Sequence, residues 1–199
     1  MNHIKPISFI SGDPRGATAV EFAFILPLLL VIVLGGIELG MQSYMRALLD
    51  TAMEKAARDL TLPSAADPAI RDQINEKVTQ LMQTTIPQAT TSFSLTHVDR
   101  FSRVTNPSED FIDTNGNRIC DNGETFSDVN GNDHFDTDVT TSGWGKAEDV
   151  IKYSVTVSYP RLAPLPDALG LGDTVTLTSQ KFLRIEPFSA QAPVGTGSC

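Results

Sequence analysis

Hydrophobic residues are concentrated in one long segment near the start of the chain. Between Glu21 and Glu38 lie sixteen uncharged residues, of which twelve are Leu, Ile, Val or Phe. Residues 17–41 together give 25 positions, enough to cross about 30 Å of hydrocarbon as a helix. The pattern therefore predicts a membrane-spanning helix. Within a membrane bundle Pro27 would kink this helix rather than end it.

The hydrophobic pattern after this segment predicts a continuing helix and then a second one. Residues 42–60 keep helical spacing, and Pro63 and Ser64 interrupt it. Asp67 followed by Pro68 is a favourable start for a second helix, which should end before Pro87. The apolar positions of the two stretches are Leu48, Leu49, Ala52, Met53, Ala56 and Leu60, then Ile70, Ile74, Val78 and Leu81.

Strand patterns occupy the second half of the chain. Residues 90–104 are β-rich, and residues 151–159 alternate strictly between apolar and polar side chains. Residues 174–185 form another candidate strand after a turn region at 160–172, and the tail 190–199 is predicted to be flexible. The prediction is an α+β fold: a long N-terminal transmembrane helix, then a small antiparallel-sheet head with a second helix and an acidic loop.

The excess of negative charge is confined to one part of the chain. Acidic and basic residues number 24 and 15 overall, a net charge of −9. Residues 106–150 hold eleven acids and two bases, also a net of −9, so the remainder is balanced. This distribution argues against a nucleic-acid partner.

The charges that flank the apolar segment favour a cytoplasmic N-terminus. Lys5 and Arg15 precede the segment, although Arg46 follows it closely. A cleaved secretory signal is one alternative, but residues 35–40 contain no Ala-x-Ala-like site. A permanently uncleaved anchor is another, and it leaves the cost of Glu21 in lipid unexplained.

The first sixty residues resemble the TadE-like, pilin-related proteins of the Tad (or Flp) branch of type IV filament systems. The resemblance rests on the order and spacing of short motifs in this part of the chain. They are Arg15-Gly16, Val20-Glu21-Phe22-Ala23, Pro27-Leu28-Leu29-Leu30, Gly36-Ile37-Glu38-Leu39-Gly40 and Ala56-Ala57-Arg58.

The resemblance implies processing and assembly through the N-terminal segment. A prepilin peptidase would cut between Gly16 and Ala17, and Glu21 would pair with the free amine of a neighbouring subunit. It implies a minor pilin or pseudopilin, with other subunits of the same filament system and the inner membrane as partners. At 199 residues the chain is much longer than a major Flp pilin, so a globular head is expected.

These expectations define a domain plan and a location. Residues 1–16 are the prepilin-type leader, 17–62 the transmembrane and extended helix, 63–189 the extracytoplasmic head and 190–199 the tail. The chain would cross the inner membrane once, with its N-terminus cytoplasmic and its head in the periplasm or displayed on the pilus or cell surface.

The acidic block contains an internal repeat. The pattern Asp-x-Asn-Gly-Asn starts at Asp113 and recurs fifteen residues later, at Asp128. Alternate positions carry side-chain oxygen, which is the ligand that Ca²⁺ prefers. Glu124 lies eleven residues after Asp113, and this spacing resembles the calcium loops of EF-hand and dockerin-type modules. The candidate ligands are Asp113, Asn115, Asn117, Asp121, Glu124, Asp128, Asn130, Asn132 and Asp136.

The two loops differ from the EF-hand pattern in specific ways. Arg118 occupies the usual glycine position, and Val139 stands where an acid would close the second loop. The sequence leaves open one strong and one weak Ca²⁺ site, or two turns sharing ions. A solvated acidic loop with Asn-Gly turns is the simpler alternative.

The two cysteines, Cys120 and Cys199, suggest a disulfide in an oxidising compartment, with two free thiols as the alternative. No pattern of an enzyme stands out: Gly-x-Ser-x-Gly, a phosphate-binding glycine loop and His-Glu-x-x-His are all missing from the sequence.

The prediction is a structural subunit and not an enzyme. It would act in Tad pilus assembly and carry a head that calcium stabilises. Two alternatives stay open. One is an uncleaved envelope protein whose calcium-dependent head binds a partner or a surface. The other is a secreted calcium-dependent adhesin released by signal peptidase.

Overall fold

A computed structural model of the chain describes residues 14–146, 148–162, 170, 172–184 and 194–199. It contains two compact units. One comprises the chain up to Tyr44 together with Arg161–Asp173, and the other comprises Met45–Pro160 and Thr174–Cys199. Most of the predicted leader and part of the predicted turn region lie outside the described residues, as do residues 185–193.

The first helix, α1, runs from Pro14 to Leu60 without a break at Pro27. From Gly16 onward it is long and apolar enough to cross a membrane, and within the described residues it is the one helix that is. Its hydrophobic side chains between Val20 and Leu39 are largely exposed, with Phe24 80% exposed. A single apolar N-terminal helix with this exposure fits a single-pass membrane anchor.

The second unit buries the other end of α1. Met45, Leu49, Met53, Ala56 and Leu60 recur every three or four residues and are all at most 3% exposed. This spacing is the predicted apolar stripe, extended by one turn to Met45.

The second helix, α2, spans Pro68–Thr85 and begins as predicted. The Asp67 side chain accepts a hydrogen bond from the Ala69 N–H at 2.9 Å, and Pro68 occupies the first turn. A short 3-10 turn at Pro63–Ala66 separates α2 from α1.

The main sheet has four antiparallel strands. Strand β1 is Thr90–Val98, β3 is Thr141–Ser142, β4 is Val150–Pro160 and β5 is Thr174–Arg184. Their order across the sheet is β3-β1-β4-β5. A second sheet pairs β2, Thr125–Asp128, with β6, Gly195–Ser198. This arrangement confirms the predicted α+β class.

Hydrogen bonds tie both helices to the main sheet. The Tyr153 hydroxyl of β4 donates to Asn75 Oδ1 of α2 at 2.7 Å, and the Ser179 hydroxyl of β5 donates to Asp50 Oδ1 of α1 at 2.7 Å. Strand β4 supplies the centre of the core, because alternate residues from Tyr153 to Tyr159 are at most 2% exposed. The predicted alternation of β4 is confirmed.

Two predictions about the β region differ from the structure. Strand β1 ends at Val98 instead of residue 104, because residues 101–104 form a 3-10 turn that buries Arg103 between Asp99 and Asp110. Within the predicted tail, Gly195–Ser198 is a strand that pairs along the whole of β2, and residues 190–193 lie outside the described residues.

Candidate functional site

The residues predicted for cleavage and assembly lie at the start of α1. Gly16, Ala17 and Glu21 are all exposed on this helix. Glu21 follows Gly16 by five residues and is surrounded in sequence by the apolar side chains Val20 and Phe22, which are more than half exposed. The structure therefore places one carboxylate on an otherwise apolar, outward-facing helix surface.

A second acid lies at the other end of the apolar stretch. Glu38 is only 2% exposed, whereas its neighbours Ile37 and Leu39 are 56% and 65% exposed. Its carboxylate lies 3.3 Å from Arg161 Nη1. Glu21 and Glu38 thus differ sharply in surroundings, although both belong to the same helix.

The first acidic loop, residues 113–121, is built around Asp113. Asp113 Oδ1 accepts the backbone N–H groups of Gly116 and Asn117, and Oδ2 accepts that of Arg118 at 2.8 Å. Arg118 has a φ of 65°, so it adopts the left-handed conformation usually given to glycine. At the far end of the loop, Asp121 Oδ2 accepts a hydrogen bond from the side-chain amide of Asn117 at 2.6 Å.

The second acidic loop, residues 128–136, repeats this construction. Asp128 accepts the backbone N–H groups of Gly131 and Asn132 through Oδ1 and that of Asp133 through Oδ2. Asp133 has a φ of 59°, matching Arg118. Asp136 Oδ2 accepts the Asn132 amide at 2.7 Å, as Asp121 accepts that of Asn117. The repeat in the sequence is therefore a repeat of backbone conformation.

Each loop is closed by a buried glutamate from the other repeat. Glu124 Oε1 accepts the Thr114 N–H at 2.7 Å, and Oε2 accepts the Asp121 N–H at 3.1 Å. Glu109 does the same in the second loop, where Oε1 accepts the Val129 N–H at 2.8 Å and Oε2 accepts the Asp136 N–H at 3.0 Å. Glu109 is 2% exposed and Glu124 is 3% exposed.

Glu109 is the residue that the sequence analysis missed. Val139 stands where the EF-hand pattern would place a closing acid; it is buried, and its N–H donates to the Pro107 carbonyl. The signal was present in the sequence, because the repeat begins earlier than Asp113. Glu109-x-Phe111 precedes the first loop as Glu124-x-Phe126 precedes the second.

An aromatic cluster lies beneath the two loops. Phe111 and Phe126 form an antiparallel bridge, and both stack edge-on against Phe135 at centroid distances of 5.3 and 5.8 Å. Since Phe111 and Phe126 are equivalent positions of the repeat, this bridge relates the two loops by an approximate local two-fold axis.

The hydrogen bonds in the loops lower the pKa of three acids. The amides of Asn115 and Asn117 hold the pKa of Asp121 below its usual value. The backbone N–H groups of Asp121 and Thr114 lower the pKa of Glu124. The backbone N–H of Asp133 is the largest cause of the lowered pKa of Asp128. The loops therefore stabilise the charged form of these carboxyl groups.

The oxygens predicted as Ca²⁺ ligands fall into two loop sets. Asp113, Asn115, Asn117 and Asp121 share one loop, and Asp128, Asn130, Asn132 and Asp136 share the other. Among the described residues, no three His, Cys, Asp or Glu side chains form a group that could hold a metal ion. Any cation site here would thus depend on asparagine and backbone oxygens beside the carboxylates.

A disulfide joins the first loop to the end of the chain. Cys120 and Cys199 are bonded, with their Cα atoms 5.6 Å apart. The Cys199 N–H also donates to the Glu124 carbonyl at 2.9 Å. Strand β6 is therefore held by its ladder with β2 and by the covalent bond from the adjacent Cys199 to the first loop.

The histidines do not form a recognisable catalytic arrangement in the described part of the chain. His97 Nδ1 lies 3.2 Å from the Gly143 carbonyl oxygen, and its Nε2 lies 3.8 Å from Asp149. Asp149 Oδ2 already accepts the Lys146 N–H at 2.6 Å. The His134 N–H donates to Asn132 Oδ1 as part of the second loop.

These features define the class of protein: an N-terminal apolar helix that fits a single membrane span, followed in sequence by an α+β unit. Residues 16–58 match the family model for TadE-like protein, so this N-terminal segment is TadE-like. The match covers 43 of the 199 residues and associates this N-terminal segment with the Tad pilus system. Searches of the curated proteins and of the solved structures found no match to the chain.

Proposed function

We propose that this chain is a minor, pilin-like subunit of a Tad-type pilus, cut between Gly16 and Ala17 and assembled through the apolar part of α1. The observation that carries the proposal is Glu21, an exposed carboxylate on an apolar helix surface within the TadE-like segment. A charged carboxylate in the middle of a membrane costs about 2.5–3.5 kcal/mol, and less near the edge.

A cation from another subunit would remove this cost. Once Gly16 is cut away, the free amine of Ala17 lies one helical turn from Glu21 on each chain. An amine of one subunit can then pair with the carboxylate of the next, and each charge is costly if its partner is missing. Glu21 would in this way select subunits that have been processed.

A Glu21→Ala variant tests this role. We expect it to be made and inserted normally but to fail in pilus assembly, seen as loss of the subunit from sheared pilus fractions. Glu54→Ala is the matched control, since Glu54 is an exposed acid on the same helix beyond the apolar stretch. Normal piliation in Glu21→Ala would instead favour the alternative, an uncleaved anchored envelope protein.

We further propose that the two acidic loops take up Ca²⁺ and that the ion stabilises this part of the chain. Ca²⁺ needs six to eight oxygen ligands, and each loop offers two aspartates, two asparagines and its backbone carbonyls. The support is the equivalence of the two loops: both are shaped by an aspartate at the start and held by a buried glutamate.

Thermal unfolding of the full chain in detergent tests the calcium proposal. Millimolar Ca²⁺ should raise Tm, because an ion that binds the folded state alone adds stability. An Asp113→Ala, Asp128→Ala double variant should lose this rise, whereas Asp72→Asn, an exposed acid on α2, should keep it. An unchanged Tm in the unmodified protein would contradict the proposal.

A further inference from the structure

Glu38 is a buried acid of α1 with no role in the proposed assembly or in the proposed calcium binding. It lies in α1 between two exposed hydrophobic residues, yet it is 2% exposed. Burying a carboxylate that has no ion-pair or hydrogen-bond partner is costly, so the contacts of Glu38 indicate its structural role.

Among the described residues, Arg161 and Leu162 contact the Glu38 carboxylate from directly after β4. Arg161 Nη1 lies 3.3 Å from Glu38 Oε1, and the Leu162 N–H donates to Oε2 at 3.2 Å. Gln42, one turn along α1, donates its side-chain amide to Oε1 at 3.5 Å. The carboxylate thus joins α1 to the start of this segment through a charged side chain and a backbone N–H.

Arg161 also holds the two ends of its own segment together. Its N–H donates to the Asp173 carbonyl at 2.9 Å, and its Nε donates to the Gly172 carbonyl at 2.7 Å. One arginine therefore contacts Gly172, Asp173 and the Glu38 carboxylate of α1. The side chain is 14% exposed, so this is a largely buried arrangement.

The position of Glu38 along α1 relates this arrangement to the membrane. Glu38 follows Glu21 by seventeen positions, which at 1.5 Å per residue is about 25 Å along the helix. That distance is close to the hydrocarbon thickness of a bilayer, about 30 Å. With Glu21 near one edge, Glu38 and Arg161 lie near the opposite edge, where arginine reaches the head groups readily.

We propose that the Glu38–Arg161 pair is a clasp that holds Arg161 and Leu162 at the membrane surface, with the lipid head-group region as the partner of Leu162. Leu162 is 50% exposed and is bonded through its N–H to the same carboxylate. The clasp also neutralises the acid that ends the apolar stretch, which lowers the cost of placing it there. The proposal rests on the membrane placement of α1 given above.

Site-directed tryptophan fluorescence in lipid vesicles tests the clasp. Trp144 is the only tryptophan, so Trp144→Phe gives a background into which Leu162→Trp introduces one reporter. The full chain is reconstituted in phosphatidylglycerol/phosphatidylcholine vesicles that contain lipids brominated near the head group. We expect the emission at position 162 to fall at least about twofold relative to unbrominated vesicles.

Two further variants separate the clasp from the span. Phe24→Trp, in the same background, reports insertion of α1, because Phe24 is an exposed residue of the apolar stretch. Glu38→Gln should reduce quenching at position 162 and leave quenching at position 24 unchanged. Arg58→Gln, an exposed base in the last turn of α1, is the control for general charge effects.

The results distinguish failure of the clasp from failure of the membrane placement of α1. Quenching at 24 without quenching at 162 would overturn the clasp and leave the span standing. A reporter at 162 that is shielded from aqueous acrylamide but not quenched by the lipids would mean that protein covers Leu162, which also overturns the proposal. Lack of quenching at both positions would contradict the membrane placement itself.

Discussion

Glu109 and Glu124 stand fifteen residues apart, and each accepts two backbone N–H groups from the loop that follows the other. The exchange makes the two acidic loops one structural unit, because neither loop is closed by an acid of its own repeat. The Phe111–Phe126 bridge lies at the centre of this unit. The conformation of each loop therefore depends on a glutamate of the other repeat.

Because each glutamate bonds to the loop of the other repeat, substituting it should affect the amides of that other loop. Glu109→Gln should speed hydrogen exchange at the Val129 and Asp136 amides, and Glu124→Gln should do so at Thr114 and Asp121. Loss of charge-assisted bonds of this kind should change the exchange rates by about tenfold or more. Amide exchange followed by NMR measures it.

Asp138→Asn serves as the control for the crossed effect, since Asp138 accepts a hydrogen bond from Thr140 outside both loops. Faster amide hydrogen exchange only within the substituted residue's own repeat would contradict the bonding of each glutamate to the loop of the other repeat.

Gly197 in β6 is predicted to tolerate no side chain. A Cβ there would collide with the ring of Phe126, which is 2% exposed and packed against Phe135. Gly197→Ala should cost about 1–3 kcal/mol of unfolding free energy. Gly195→Ala is a close control, because its Cβ would meet the Asp128 carbonyl at an ordinary 3.5 Å. Equal Tm values for the two variants would contradict the packing of β6 on β2.

The stability that the acidic loops contribute should fall at low pH. Asp121, Glu124 and Asp128 have folded-state pKa values below their usual values of about 4, so they bind protons more weakly when folded than when unfolded. Their stabilisation is present above about pH 4 and is lost as the pH falls through the lower folded values. Tm measured against pH should drop in that window. Asp121→Asn should make the fall of Tm with pH shallower than Asp72→Asn does. Identical Tm–pH profiles for the two variants would contradict the assignment of this fall to the loop carboxyl groups.

The Cys120–Cys199 disulfide should contribute a substantial part of the stability. It closes a separation of 79 residues, for which chain entropy gives roughly 4 kcal/mol. Cys199→Ser and Cys120→Ser should each lower Tm by the same amount, and the double variant by no more. Peptide mapping by non-reducing mass spectrometry should recover the linked pair, and free thiols at both positions would contradict it.

The sequence predicted those elements whose formation depends on periodic burial. Leu49, Met53 and Ala56 mark the buried face of α1, and the alternation from Ile151 to Tyr159 marks β4, because both patterns arise from one apolar side. The cap of α2 was also predictable, since Asp67 acts within its own helix.

Elements that depend on distant partners were not predictable in this way. Strand β6, Gly195–Ser198, has no apolar pattern and forms because β2 and the disulfide hold it. Burial of Arg103 depends on Asp99 and Asp110 on either side of it. The role of Glu109 requires the fold to bring it to Val129, although the repeated Glu-x-Phe was visible.

The central claim is that this chain is processed and joined to other subunits through Ala17 and Glu21. The most direct test is the N-terminal residue of the protein recovered from the cell envelope, determined by intact-mass measurement and N-terminal sequencing. The account predicts Ala17. A mature chain that begins at Met1, or at any other residue, would place the free amine away from Glu21 and contradict the account.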